Sequence, residues 1–413
     1  MTRRAPVFRW SEGPDGNRLP VRVGELTQEV NRWEFLYDRD YLAQGKSAWE
    51  LDPRDIRLKQ GAPFTRVGVV PFPVFCDVAL SGWSLDILQK RRHQLLGSEA
   101  NPEPWGWWER LLYAPADGFG ALFIGELGAK PAVEDILASV VPAVTPETLA
   151  AVSMESSEGA MGGERPKISG MFRATEGSDP VPVLLKFALP SERTDTVVAE
   201  ATALTLAQQL GLKVPAHHVL EINGLPALCI SRFDRGGGTT GPVYHCVSAA
   251  TALGLHQGTD VDDPKRSYVT LRSKLKEPGD ALELFRRIVL NAAVGNTDDH
   301  PWNTSLRQVG LATWELAPLY DVLPFFHRSG VPVFRMAILK QGARTASMKN
   351  LIAAGRQIGG LKSDAEAYKV ITKVLAHVQS GWRQVFDEHA KAISGSQADS
   401  WQNVFEYPWR DLI

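Results

Sequence analysis

Short alternating or apolar runs separated by Gly, Pro and Asp mark the first 130 residues. The stretches 21–23, 34–37, 66–70 and 120–124 read as strands of a small sheet with hairpins. One helix is predicted over 84–92. Trp105, Trp107 and Trp108, followed by Leu111 and Leu112, form the packed face of another. After a Pro- and Ala-rich stretch at 131–150, strands are predicted at 168–172, 183–187, 218–222 and 227–233. Between them the pattern over 196–210 is helical and stops at Gly211. Beyond about 241 helices dominate. Residues 279–294 place Leu282, Phe285, Val289 and Ala292 on one face, and 346–355, 363–379 and 381–394 predict three more helices. A strand-rich half followed by a helix-rich half predicts an α+β chain of two lobes with a cleft. Its segments are 1–130, 131–240 and 241–413.

Composition narrows the function classes. The chain has 413 residues, 44% of them hydrophobic, enough to bury one large core or several smaller ones. A formal net charge of -2 gives no global positive field for nucleic acid, so any DNA contact is expected to be indirect. Cys76, Cys229 and Cys246 have neither metal-site nor disulfide spacing, which suits a reducing, cytoplasmic setting. The basic start MTRRAPVFRW leads into no apolar segment, and the apolar run at 136–144 is too short to span a bilayer. No membrane role is expected.

The densest chemistry is Gly295-Asn296-Thr297-Asp298-Asp299-His300-Pro301-Trp302-Asn303, directly after an apolar helix. A capped turn would account for these residue types equally well. Asp321 shifts the reading. A hairpin using 305–306 and 313–316 would return Asp321 beside Asp298 and Asn303, and carboxylate and amide oxygens are what magnesium prefers next to phosphates. Asp298 and Asn303 also have the D-x-x-x-x-N spacing of kinase catalytic loops. Lys186 sits in an apolar strand, where an unpaired ammonium is costly, and Glu200 early in the next helix suits it as partner. Gly162 and Gly163 could offer backbone N–H groups to phosphates, with Lys167 adding charge, although neither regular phosphate-loop signature is present.

These residues, taken in order, resemble the HipA family of bacterial toxin–antitoxin serine/threonine kinases. The stretch Gly162-Gly163-Glu164-Arg165-Pro166-Lys167 resembles its G-G-A-R-P-K, and Leu184-Leu185-Lys186-Phe187 its ATP-lysine strand. The run Leu210-Gly211-Leu212-Lys213-Val214-Pro215 resembles L-G-L-x-V-P, and Arg232-Phe233-Asp234-Arg235 matches R-F-D-R. Gly295 to Asn303 is similar to G-x-T-D-x-H-x-x-N, and Tyr320-Asp321 to the metal-binding Y-D. Phe35-Leu36-Tyr37 and Gly82-Trp83 extend the resemblance into the front module.

The resemblance implies a two-lobed protein-kinase-like fold with an extra N-terminal β-rich subdomain, using ATP and Mg2+. In it Asp298 would be the base, Asn303 and Asp321 the metal ligands, and Lys186 the grip on ATP. Backbone groups at Ser231 and Phe233 would meet adenine, and His300 would brace the loop. It further implies a protein substrate in translation, an aminoacyl-tRNA synthetase being one candidate, and a small helix-turn-helix antitoxin as partner. Ser231 stands where relatives carry Glu, and Tyr244-His245-Cys246-Val247 replaces an acidic element. Ala160 and Met161 stand where relatives often have serine, so autophosphorylation would shift to Ser156 or Ser157, or be lost. A small-molecule kinase and an inactive kinase-like binding protein are the alternative readings. The five retained residues Lys186, Glu200, Asp298, Asn303 and Asp321 speak against the second.

Overall fold

Period-two burial builds the front of the molecule. In the computed structural model, β1 (Arg3–Glu12), β2 (Arg18–Glu29), β3 (Arg32–Tyr37), β4 (Phe64–Val67) and β5 (Leu122–Ile124) form an antiparallel sheet of order β4-β3-β2-β1-β5. Val7, Leu26, Trp33 and Phe35 point to its buried face. Helix α1 (Pro73–Val78) begins on a proline, followed by α2 (Gly82–Lys90) and α3 (Trp107–Leu112). Trp108 of α3 stacks on Trp33 with ring centres 6.2 Å apart. The predicted Trp face is therefore sheet packing. β1 was not among the predicted strands, because its alternation runs through Arg3, Arg4, Pro6 and Arg9.

The structure describes residues 2–13, 17–97, 103–129, 165, 167–172, 179–188, 192–193, 195–236, 241–277, 279–325 and 331–406. The chain divides into two compact units that it visits more than once. The first comprises 1–191, 231–247 and 307–313, and the second 192–230, 248–306 and 314–413. Besides the five-stranded sheet, the first unit contains the antiparallel pair β6 (Lys167–Phe172) and β7 (Val181–Phe187), in which Lys167 lies directly across from Lys186. It also contains a buried ion network. Arg232 Nη2 and Arg235 Nη1 each lie 2.9 Å from Asp234 Oδ2, and both arginines reach Asp117 at 2.9 Å. The Gly120 N–H also donates to Asp234 at 2.8 Å. These bonds satisfy the charges that the R-F-D-R segment buries.

The second unit is mainly helical. Helix α4 (Thr196–Gln209) is buried along most of its length and ends where Gly211 adopts φ +76°. A hairpin of β8 (His217–Ile222) and β9 (Leu225–Ser231) follows, its last residue belonging to the first unit. After β10 (Cys246–Ser248), α5 (Ala249–Leu253) is capped by Ser248, whose hydroxyl accepts from the Thr251 N–H at 3.1 Å. Then come α6 (Tyr268–Arg272), α7 (Asp280–Ala293), β11 (Ser305–Gly310) and β12 (Thr313–Leu316), whose residues 307–313 belong to the first unit, α8 (Met348–Gln357) and α9 (Asp364–Ala390).

Two expectations are corrected. The helices predicted at 363–379 and 381–394 are one continuous helix, α9. Gly381 does not break it, because the residue lies against α4, where an added Cβ would come within 3.3 Å of Leu206 Cδ2, and Val378 and Trp382 carry the buried stripe across it. Leu282 is 37% exposed and off the inner face of α7; Ala281, Leu284, Phe285, Ile288 and Val289 form that face. Arg287 is buried among them, held by Glu283. Among the described residues, no helix is long and apolar enough to cross a membrane.

Candidate active site

α7 delivers its C-terminal end to Gly295, whose φ of +68° turns the chain into the loop 296–303. Asn296 anchors that loop from both ends of its side chain. Its Nδ2 donates to Asn291 Oδ1 at 3.0 Å, and its Oδ1 accepts from the Asp298 N–H at 3.2 Å. A single turn at Pro301–Asn303 closes the loop, with the Asn303 N–H on the His300 carbonyl at 2.9 Å. Asn303 Nδ2 donates to the Asp298 carbonyl at 2.8 Å, which leaves its amide oxygen to coordinate a cation or accept from a ligand.

Asp298 and Asp299 are neighbours with opposite environments. The Asp298 side chain is 66% exposed, with His300 Nε2 at 3.8 Å and Arg335 Nε at 4.0 Å. Asp299 is buried, and its Oδ1 accepts from the Arg335 N–H at 2.6 Å. Burial lifts the Asp299 carboxyl to about 7, against the opposing pull of the Arg335 N–H and the Tyr268 hydroxyl.

β11 and β12 form the hairpin expected between the two acidic loops. Its root lies in the second unit, where the Ala317 N–H donates to the Ser305 carbonyl at 2.9 Å. Three further contacts place the returning strand. The Leu316 N–H donates to Asp280 Oδ2 at 2.6 Å, Arg287 Nη1 to the Ala317 carbonyl at 2.8 Å, and the Leu319 N–H to the Lys213 carbonyl at 2.7 Å. Asp280 is itself paired with Lys213 at 3.2 Å. Tyr320 then ties the loops together. Its hydroxyl donates to the Trp302 carbonyl at 2.8 Å and meets Ser305 Oγ at 2.5 Å.

The next residue, Asp321, has φ +57°. This left-handed conformation costs a non-glycine residue about 1–2 kcal/mol, though aspartate adopts it more readily than most. Asp321 and Asn303 line one pocket, together with Asn296, Asp299 and Tyr320. Among the described residues, no group of three or more His, Cys, Asp and Glu side chains gathers as a ready metal cage. One carboxylate and one amide oxygen on a shared pocket wall nevertheless fit magnesium, which completes its shell with waters and substrate phosphates.

The remaining predicted site residues divide as follows. Lys186 is buried in β7, and Lys167 faces it across the ladder in the first unit. Glu200 is fully buried in α4 of the second unit. The Arg232 N–H, between Ser231 and Phe233, donates to the Pro182 carbonyl at 2.8 Å. Gly162, Gly163, Ser156 and Ser157 lie outside the described residues. Sequence reasoning missed Arg335, which lies 37 positions from Asp298 and belongs to no local motif. It also missed the supports Asp280, Arg287 and Tyr268; charged residues within an apolar helix pattern were the available signal for the first two.

The model of the HipA-like C-terminal domain matches residues 159–382. Two curated proteins of Sinorhizobium fredii are similar over part of the chain. The putative kinase Y4dM is 30% identical over 151 residues, covering 33% of this chain and 36% of that protein. The putative kinase Y4mE is 32% identical over 136 residues, covering 31% and 32%. The match thus spans about a third of the length of each of these relatives. HipA of Shewanella oneidensis, solved with HipB and operator DNA, superposes with a TM-score of 0.62 at 17% identity, covering 97% of this chain and 94% of that one. The mixed fold, a β-rich front followed by helices, is thus the HipA-like kinase fold. With its family model matching more than half of the 413 residues, the chain belongs to the HipA-like C-terminal domain family.

Proposed function

We propose that this protein is a serine/threonine kinase that transfers the γ-phosphoryl group of ATP to a protein hydroxyl. The observation that carries the reading is the tie made by Tyr320. Through it the residue before Asp321 bonds to the residue before Asn303, leaving both side chains on one pocket beside the Asp298 loop. In this reading Asp298 accepts the proton of the acceptor hydroxyl, and Asn303 and Asp321 hold Mg2+. The metal supplies charge neutralisation on the phosphate oxygens. Lys186 holds the phosphates with Glu200 as its orienting residue, and Lys167 and the backbone of Gly162 and Gly163 add further donors. Backbone groups at Ser231 and Phe233 meet adenine, and His300 steadies the Asp298 carboxylate. The exposure of Asp298 favours a macromolecular acceptor, since a serine or threonine on another protein can reach it.

By the same reading the partner is a small DNA-binding antitoxin, as the complex of the Shewanella HipA with HipB and operator DNA suggests. The target is a component of translation, of which an aminoacyl-tRNA synthetase is the first to test. The protein works in the cytoplasm, and Ser156 and Ser157 are its autophosphorylation candidates. Phosphoproteomics after expressing the wild type and Asp298→Ala tests activity and target together. Phosphosites that rise with the wild type alone support the reading. Identical phosphoproteomes, with no label transferred from ATP in vitro, would remove it.

A further inference from the structure

Phosphoryl transfer spreads charge over three equatorial oxygens, and cations aimed at that charge supply much of the acceleration. The stretch between Asp298 and Asn303, Asp299-His300-Pro301-Trp302, contains no lysine or arginine. Among the described residues of the second unit, three nearby guanidiniums are committed elsewhere, the first being Arg287, held by Glu283 and donating to the Ala317 carbonyl at 2.8 Å. Arg266 donates to the carbonyls of Asp260 and Thr259 at 2.9 and 2.8 Å, and its guanidinium lies 5.7 Å from the centre of the Trp302 ring. Arg344 pairs with Asp262 at 3.1 Å and donates to the Val261 carbonyl at 2.6 Å.

Arg335 is different. Its ion-pair partner is Asp298 itself, at 4.0 Å, and half of its side chain faces solvent. The backbone beneath that side chain is pinned. The Arg335 N–H is held by buried Asp299 at 2.6 Å. Two residues on, the Ala337 N–H donates to the Arg266 carbonyl at 2.8 Å and the Ala337 carbonyl accepts from the Tyr268 N–H at 2.9 Å. A fixed backbone thus presents a half-exposed guanidinium at the carboxylate assigned as base. An exposed ion pair of this length contributes little to stability, so folding alone gives little reason for it.

We infer that Arg335 is a further catalytic residue of the phosphoryl transfer proposed above, on which this assignment rests. In the resting enzyme its guanidinium orients the Asp298 carboxylate. During transfer the acceptor oxygen bonds to the γ-phosphorus while the bond from that phosphorus to the bridging oxygen breaks. ADP leaves with the electron pair, and the acceptor proton passes to Asp298. Arg335 donates hydrogen bonds to the non-bridging oxygens of the phosphoryl group in flight and gains and loses no proton itself.

Calorimetric binding of Mg·ADP, with and without aluminium fluoride as a mimic of the phosphoryl in flight, tests this without a protein substrate. The wild type should bind Mg·ADP and bind it more tightly with the fluoride. Arg335→Ala should keep its Mg·ADP affinity within about twofold while losing on the order of 100-fold of the fluoride-dependent gain. Arg335→Lys should fall between them, and sub-denaturing guanidinium chloride should restore part of the gain to the alanine variant. An Arg335→Ala protein with the full wild-type gain would overturn the role of Arg335 alone. Equal weakening of both ligands would reduce it to a structural residue and overturn the assignment too. A wild type that binds neither ligand would bring down the kinase reading, and this inference with it.

Discussion

Two polar clusters of similar density sit in the two units, and they are built in opposite ways. Around Asp234 every charge is matched: two arginines at 2.9 Å, a backbone N–H at 2.8 Å, and carbonyls of Gly118 and Gly120 taking the remaining guanidinium donors. Around Asp298, among the described residues, the His300 ring nitrogen stands at 3.8 Å and the Arg335 guanidinium at 4.0 Å, and the carboxylate is mostly in water. The first arrangement is complete in itself; the second has room for something more. Charge density does not mark a site, whereas incomplete pairing on a well-anchored backbone does.

Substitutions at the two aspartates should separate activity from folding. Asp298→Ala should lower phosphoryl transfer by about 10³-fold while leaving the melting temperature nearly unchanged, since an exposed carboxylate carries little stability. Transfer assays and thermal melts of the same preparation check both halves. Asp234→Ala should do the reverse to the fold, costing about 3–5 kcal/mol by leaving two buried guanidiniums with the exposed Asp117 as their shared carboxylate. Urea titration would show it, and a midpoint equal to that of the wild type would mean that the Asp234 network is no more tightly coupled to folding than Asp298.

Asp321 sharpens the comparison because conformation and charge can be varied separately there. Asp321→Asn tolerates the positive φ and removes the charge. Magnesium-dependent nucleotide affinity should drop by on the order of tenfold or more, with the urea midpoint held. Unchanged affinity would take Asp321 out of the metal site.

The smallest expected effect concerns pH. Burial raises Asp299 in the second unit and Asp52 in the first to about 7 each. The unfolded chain has ordinary carboxyls near 3.9. Between about pH 4 and pH 7 the folded protein therefore holds protons that the unfolded chain has released, and each group makes stability fall as pH rises through that window. Asp299→Asn should flatten the part of that slope due to its own site, and Asp52→Asn the other. Denaturation midpoints measured at pH 5 and pH 8 should differ less in each variant than in the wild type. A fall as steep as that of the wild type in either variant would place that carboxyl in the charged form throughout.

Most regular elements were legible because burial imposes a period. The alternation through 34–37 became β3, the apolar strand around Lys186 became β7, and the helical run from 196 ended at Gly211 as its glycine suggested. Errors arose where local signals compete with packing. The helices predicted at 363–379 and 381–394 are one, and close contact with Leu206 makes Gly381 suitable inside α9. The arginines of β1 obscured an alternation that the neighbouring strands complete. Arg335 was invisible because nothing near it in the chain resembles chemistry.

By itself the sequence determined the short-range order: which segments are strands and helices, the five-residue spacing of Asp298 and Asn303, and the motifs on which the resemblance to the family rests. Only the tertiary structure decided that Asp298 faces water while the adjacent Asp299 is buried. In an irregular loop no period dictates which side chain turns inward. That choice fell to the segment at 335–337, which arrives from far along the chain and covers one carboxylate while leaving its neighbour open.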